Sequence, residues 1–331
     1  VKTAGRLAAL AAGLCLVLLA GSVLWFRGAA FGERSLPEVQ TDVVVPAGSS
    51  ASEVGRRLAQ ERVIGSPLAF SLLARLDGVE AALQAGEYRF PPHQSSVEVL
   101  HRLVAGQQVA LWVTIPEGFT AKEIAAQLEA RGLGEAGAFA RYFLHDSIVV
   151  DGVRTRSLEG FLFPDTYLIP IGASPADVAA VLTGQFRREL PPDAAARAKS
   201  LGLTVPQVVT VASLVEREAK SDDERALMAG VYYNRLRRGM PLQVDATIEY
   251  TFARHKDVIT LDDLARDSPY NTYEHAGLPP TPIASPGRPS LLAAFHPAVS
   301  DYLYYVYKGN GHHAFSRTVA EHNANVARYL R

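Results

Sequence analysis

From Leu7 to Phe26 the chain runs 20 residues without a charged side chain, flanked by Arg6 and Arg27. At about 1.5 Å of helical rise per residue, such a run spans the ~30 Å hydrocarbon core of a bilayer. It closes on Leu24-Trp25-Phe26-Arg27, an interfacial aromatic pair and a cation, without the small-x-small cleavage site of an export signal. Leu14 stands before Cys15 where a lipoprotein signal needs a small residue. The pattern predicts a retained transmembrane helix over 7–27. Lys2 and Arg6 precede it and only Arg27 closely follows, so residues 1–6 are expected in the cytoplasm and everything past about residue 30 on the outer side of the inner (cytoplasmic) membrane. Residues 28–41 show no period and read as a stalk.

A repeat then emerges. Val43-Val44-Val45-Pro46-Ala47-Gly48, followed by Ala51, Glu53, Val54 and Leu58, recurs 70 residues later as Val113-Thr114-Ile115-Pro116-Glu117-Gly118 with Ala121, Glu123, Ile124 and Leu128. Each copy is a β-branched run, a Pro-x-Gly turn and an amphipathic helix. Gly86–Phe90 reads as a second strand and Ser96–Val104 as a second helix, completing a small βααβ-type module. The chain divides into a first module over 42–108, a second over 109–156 and a domain over 157–331. The modules resemble LysM domains, which bind N-acetylglucosamine polymers, on the strength of a strand, a Pro-x-Gly-x-Ser/Thr turn and the helix after it.

In the third region 10 of the 13 tyrosines fall between Tyr232 and Tyr329. Pro206 starts a helix reaching to about Lys220. Ser221-Asp222-Asp223-Glu224 has the form of a capping box for a second helix that ends on Arg235, Arg237, Arg238 and Gly239, so the two form a hairpin. Asp267–Pro289 holds six prolines in 23 residues and no period, a length of loop that is usually functional. Tyr302–Lys308 and His312–Phe315 read as a β-hairpin around Gly309-Asn310-Gly311, followed by a helix capped by Thr318 with Glu321.

Charge and cysteine narrow the class. Lys and Arg number 33 against 34 Asp and Glu, which argues against a nucleic-acid binder. Without Lys2, Arg6 and Arg27 the exported part keeps 30 basic and 34 acidic residues, a formal charge of −4. Cys15, the only cysteine, lies in the anchor, so the exported body has no disulfide and depends on its core. His312, His313 and His322 lack the accompanying ligands of a metal site, and no G-x-S-x-G or phosphate-cradling loop is present; no metal and no cofactor are expected.

On the Pro206 helix, Val209, Ala212 and Ser213 share a stripe that Glu216 continues, while Glu218 lies about 200° around the helix. Burial at the end of an apolar stripe disfavours the ionised carboxyl, which marks Glu216 as a candidate general acid and Glu218 as its solvated counterpart. Asp245 can cap a short helix over Ala246–Phe252.

Six strings occur in one order: Ala212-Ser213-Leu214-Val215-Glu216-Arg217-Glu218, Tyr233-Asn234-Arg235-Leu236, Gly239-Met240-Pro241-Leu242-Gln243-Val244-Asp245, Ser268-Pro269-Tyr270-Asn271-Thr272-Tyr273, Gly277-Leu278-Pro279-Pro280 and Glu321-His322-Asn323. Together with Ser157–Tyr167 they closely resemble the YceG-like endolytic murein transglycosylases, bitopic lyases of the bacterial cell wall. Ala219 departs from the hydroxyl residue expected after the second Glu. The resemblance implies an α+β fold behind one membrane helix, peptidoglycan glycan strands as substrate, no cofactor, and wall polymerases at the membrane as partners. It places the catalytic glutamate on Glu216 and suggests glycan contacts at Asn234, Gln243, Asp245, Tyr270, Asn271, Thr272 and His313. The implied reaction cuts strands internally between N-acetylmuramic acid and N-acetylglucosamine and ends their elongation. One carboxyl protonates the oxygen leaving muramic acid C1, then takes the proton from that sugar's C6 hydroxyl, giving a 1,6-anhydro ring without water. Two alternatives stand beside it: a non-catalytic peptidoglycan-binding scaffold, and a hydrolase using Asp245 or Glu159 as second carboxylate.

Overall fold

The computed structural model describes residues 2–32, 40–252, 256 and 259–330. Two compact units divide the chain: Val1–Leu111 with Ile169–Ala173, and Trp112–Leu168 with Ser174–Arg331.

The first unit begins with α1 (Lys2–Phe31), whose segment Leu10–Phe31 is apolar and long enough to cross a membrane. This helix is a candidate anchor. It continues past Phe26 into the segment expected as a stalk, and its end is held, with Ala30 buried and the Ala29 carbonyl accepting from Ser96 Oγ at 3.1 Å. The rest of the expected stalk, 33–39, lies outside the described residues.

Beyond it, β1 (Thr41–Val45) and β2 (Gly86–Phe90) pair antiparallel, Val43 opposite Tyr88 and Thr41 opposite Phe90. Alternation sends Val43, Val45, Tyr88 and Phe90 inward, where α2 (Ala51–Gln60), α3 (Pro67–Leu76) and α4 (Ser96–Val104) meet them with Leu58, Phe70 and Leu100. The helix α3 was not legible as part of the repeat, although Ser66 caps it and Pro67 opens it.

The second copy has the same order: β3 (Ala110–Thr114), α5 (Ala121–Ala130), α6 (Ala136–His145), the short strands β4 (Val149–Val150) and β5 (Val153–Arg154), then β6 (Thr166–Pro170) paired with β3. Both turns have a glycine at φ +78°, Gly48 and Gly118, which a side chain would strain. Both following helices carry a reciprocal capping box, Ser50 with Glu53 and Thr120 with Glu123. Where they differ is burial. In the second copy Gly118 donates its N–H to the Ser285 carbonyl at 2.9 Å and Ser285 returns one to the Phe119 carbonyl at 2.8 Å. Residues 112–168 belong to one compact unit with the segment from Ser174 onward, to which this pairing contributes.

Helices α7 (Pro175–Glu189), α8 (Ala194–Ser200), α9 (Val205–Glu218), α10 (Asp222–Arg237), α11 (Asp245–Glu249), α12 (Leu261–Leu264) and α13 (Arg288–Phe295) follow. The unit closes with β7 (Tyr304–Gly309), β8 (His312–Ser316) and α14 (Val319–Tyr329), the last capped by Thr318 Oγ1 as expected. Its core centres on α9, where every residue from Val208 to Val215 is buried. Each fully buried Val or Leu contributes roughly 1.5–3 kcal/mol relative to exposure, an upper bound against a compact unfolded chain. The proline-rich stretch expected as a loop is irregular from Ala265 to Gly287, yet Asn271, Thr272, Ile283, Ala284 and Ser285 within it are buried.

Candidate active site

Thr204 caps α9 and Pro206 fills its first turn, so the helix enters the core with its amides satisfied. Ser213, midway, donates to the Thr210 carbonyl at 2.7 Å and accepts the Ile283 N–H at 3.1 Å, tying the proline-rich segment to the helix. At the helix end Glu216, Arg217 and Glu218 fan out about 100° apart. Because the helix is enclosed on every side, each of the three meets protein.

Glu216, with a side chain 6% exposed, accepts the Gly287 N–H at 3.0 Å and faces Arg225 at 3.4 Å. Arg225 in turn holds Ser290 Oγ at 2.5 Å and Asp222 at 2.9 Å. Glu117, from the second Pro-x-Gly turn, lies so close to Gly287 that a Cβ there would sit 1.9 Å from its carboxylate oxygen. Burial, then the neighbouring Glu216, raises the Glu117 pKa. Arg217 bonds Glu249 at 2.8 Å and the Gly118 carbonyl at 3.3 Å.

Glu218 faces elsewhere. Tyr305 Oη donates to it at 3.2 Å and is itself bonded to Tyr232 Oη at 2.9 Å, while the Ala246 amide at the start of α11 also hydrogen-bonds it. Burial first, and the Asp245 charge second, push its pKa above the ordinary carboxylate range. The solvated role expected for Glu218 is therefore corrected: one buried stripe would leave Glu218 in water, but α9 is buried on all faces from Val208 to Val215 and Glu218 continues into protein.

Glu218 lines a cavity of about 390 Å³ together with Gln243, Asp245, Tyr273, Tyr305 and His313. Gln243 has a φ of +52°, held by its N–H to the Thr272 carbonyl at 3.0 Å. Arg235 fixes the surrounding loops, donating to the carbonyls of Leu242 at 2.8 Å and Leu303 at 2.6 Å. Asp245 does not cap α11; it occupies the first turn, and Tyr273 Oη donates to its carboxylate. His313, 6% exposed, is clamped through its N–H and Nδ1 by Glu224 at 2.9 Å. Glu224 is thereby drawn away from the capping box expected at Ser221, whose side chain makes no cap hydrogen bond. His322 stacks on Tyr304 at 5.3 Å, and burial, aided by Arg235, lowers its pKa.

Of the expected glycan contacts, Gln243, Asp245 and His313 meet in this cavity. The others serve the framework. Asn234 donates to the carbonyls of Ser300 and Tyr302, both at 2.8 Å, and Asn271, fully buried, to those of Leu264 and Arg266. Thr272 Oγ1 accepts the Val244 N–H at 3.0 Å, and Tyr270 Oη bonds Thr281 at 2.8 Å beside a separate cavity. Buried Glu159 accepts the Ala121 N–H at 2.9 Å on one oxygen and Tyr250 Oη at 3.0 Å on the other, and lines the cavity beside Tyr270, not the one holding Glu218. Tyr273, Tyr305 and His322 were missed as site residues. Tyr273 and His322 stand in two of the strings that carry the resemblance, whereas nothing local marked Tyr305.

The YceG-like family model matches residues 43–328. The endolytic murein transglycosylase of Bacillus subtilis (strain 168) is 31% identical over 326 residues, covering 91% of this chain and 89% of that protein. That of Streptococcus pneumoniae serotype 2 is 34% identical over 321 residues, covering 85% of this chain and 58% of the longer relative. Among solved structures, a yceG-like protein from Listeria monocytogenes matches with a TM-score of 0.58 at 30% identity, over 87% of this chain and 99% of that one.

Proposed function

Because the chain belongs to the YceG-like family, we propose that it is a lytic transglycosylase that cleaves peptidoglycan glycan strands internally and leaves 1,6-anhydro-N-acetylmuramic ends. The observation that carries the site is the company Glu218 keeps. It is the glutamate of α9 that shares a cavity with Gln243, Asp245 and His313, and its raised pKa suits a general acid. We therefore assign to Glu218 the role expected for Glu216. Protonated Glu218 gives its proton to the oxygen leaving muramic acid C1. The resulting carboxylate, steadied by Tyr305 and the Ala246 amide, takes the C6 hydroxyl proton as that oxygen closes on C1. Asp245 helps to keep Glu218 protonated before the step and, held by Tyr273, stays clear of the nucleophile's position.

A second reading keeps Glu216 as the acid. What favours it is Glu117, a second carboxyl close enough to raise the cost of charge in that cluster. Against it stands the geometry of Glu216, whose two carboxylate oxygens each have a fixed partner, Arg225 at 3.4 Å and the Gly287 N–H at 3.0 Å.

The α1 helix anchors the enzyme, with Lys2 and Arg6 on the cytoplasmic side and the catalytic unit facing the wall. Synthetic polymerases at the same membrane are its natural partners. The β1-α2-α3-β2 order, with its antiparallel pair, supports a LysM-like role for the first module.

The test uses the full chain in detergent with purified uncrosslinked glycan, in wild type, Glu218→Gln and Glu216→Gln forms, and mass spectrometry of the new ends. Losing a general acid typically costs about 10²–10⁴ in rate. Anhydro ends from wild type and Glu216→Gln, but not from Glu218→Gln, support the assignment. The reverse pattern moves the acid to Glu216; reducing ends mean a hydrolase; binding without cleavage leaves a scaffold.

A further inference from the structure

A second concavity of this unit, about 660 Å³, is not the one holding Glu218. It is a groove between the segment Val153–Ser157, the first turns of α9, the end of α10 and the run Gly277–Pro282. Its volume is that of a pocket for a ligand of several residues.

The lining is chemically one-sided. Phe161, Leu203, Leu236 and Leu278 provide an apolar floor, while Thr204, Gln207, Thr210 and Thr281 supply hydroxyls and an amide. Arg154 and Arg156 are the only charged residues in it, and no carboxylate lines it. Arg156 is exposed and makes no ion pair among the described residues; Arg154 is exposed too, donates to Ser147 Oγ at 2.9 Å and acts on the nearby Asp146 carboxylate. The Gln207 carbonyl oxygen is occupied by the Thr204 N–H, so its amide nitrogen remains a donor. Two guanidinium groups over an apolar floor, Arg156 without an ion pair among the described residues and Arg154 offset in part by the nearby Asp146, suit a ligand carrying carboxylates on an aliphatic frame.

The groove also adjoins the Glu218 cavity along the chain. Leu236 follows Arg235, which lines that cavity, and the Pro241–Ala276 bridge joins the strand leading into Gln243 to the one leading into Gly277. The two cavities have no lining residue in common, but their walls follow one another along α10 and are tied by this bridge.

We propose that this groove binds the acidic peptide carried by the glycan strand, with Arg154 and Arg156 meeting its carboxylates while the sugars occupy the Glu218 cavity. The inference rests on the function proposed above and specifies which strands the enzyme prefers: those still bearing peptides.

Two measurements on the full chain in detergent test it. Calorimetric titration with free N-acetylmuramoyl-tetrapeptide needs no cleavage. Arg154→Ala with Arg156→Ala is expected to weaken binding about tenfold or more, and Lys at both positions to restore much of it. Raising salt from about 0.05 to 0.5 M should weaken the wild type in the same direction. Arg156→Glu, at a side chain with no partner inside the protein, guards against misfolding of the pair and should abolish binding. In the cleavage assay the double variant should raise KM on peptide-bearing strands and leave amidase-stripped strands unaffected. Peptide binding indifferent to these substitutions, or equal losses on both kinds of strand, overturns the proposal. Should the wild type cleave neither strand, the catalytic reading fails while the titration still decides the groove.

Discussion

Gly230 lies in the middle of α10, where replacement by Ala ordinarily gains about 0.8–1 kcal/mol of helix propensity. The structure predicts the opposite sign. A Cβ on Gly230 would sit 2.6 Å from the carbonyl oxygen of Ala298, roughly 0.8 Å inside a normal contact. That oxygen cannot swing aside as a side chain would. Its residue is fixed by the Ala298 N–H on the Ala226 carbonyl at 2.9 Å, and the segment beyond by Asn234 on the Ser300 carbonyl at 2.8 Å. Overpacking against fixed backbone costs about 1–3 kcal/mol, so after the propensity gain Gly230→Ala is expected to be destabilising by up to about 2 kcal/mol. Gly184 in α7 is the control, for its added Cβ would meet only Arg188 Nη1 at 3.8 Å. Gly184→Ala should stabilise by about 0.5–1 kcal/mol. Thermal unfolding followed by circular dichroism should separate the two, at roughly 2–4 °C per kcal/mol for a unit of this size. A rise in midpoint for both variants would refute the claim that α10 packs directly on the backbone leading to β7.

Two further predictions concern protons. If Glu218 is the acid, Asp245→Asn removes a like charge and lowers its pKa, so the alkaline limb of kcat/KM against pH moves to lower pH. Tyr305→Phe removes a hydrogen bond to the charged form and moves that limb upward; shifts in one common direction would contradict the arrangement. Glu159 is raised by burial from 4.5 to about 7, so folding favours its protonated form. Its contribution to stability is full below about pH 4.5 and lost as pH rises through about 7, on the order of 3 kcal/mol. Urea unfolding of Glu159→Gln should lack this decline, and parallel pH curves for variant and wild type would count against it.

Much of the local architecture was legible because local chemistry decides it. The charge-free run, the two Pro-x-Gly turns with their capping residues and the Thr318 cap each depend on neighbours within four residues. The choice between Glu216 and Glu218 does not. A helical wheel ranks faces by their own residues, but α9 is enclosed by α8, α10, α11 and α13, so its faces differ only in which distant groups they meet. Arg225 and Gly287 meet one glutamate, Asp245 and Tyr305 the other. The same holds for Asn271 and Thr272, polar residues whose loop position suggested exposure and whose partners turned out to be backbone groups.

The cavity around Glu218 draws its wall from Gln243 and Asp245, then from Tyr304 and Tyr305, and finally from His313 and His322. Closing it means joining stretches 50 to 100 residues apart, a topology that makes assembly late and slow. A chain emerging N-terminus first can complete α1 and its first module while Glu218 on α9 still lacks Tyr305. If Glu218 is the acid, strand cleavage waits on the β7–β8 hairpin and α14, which then act as the arming step of the enzyme.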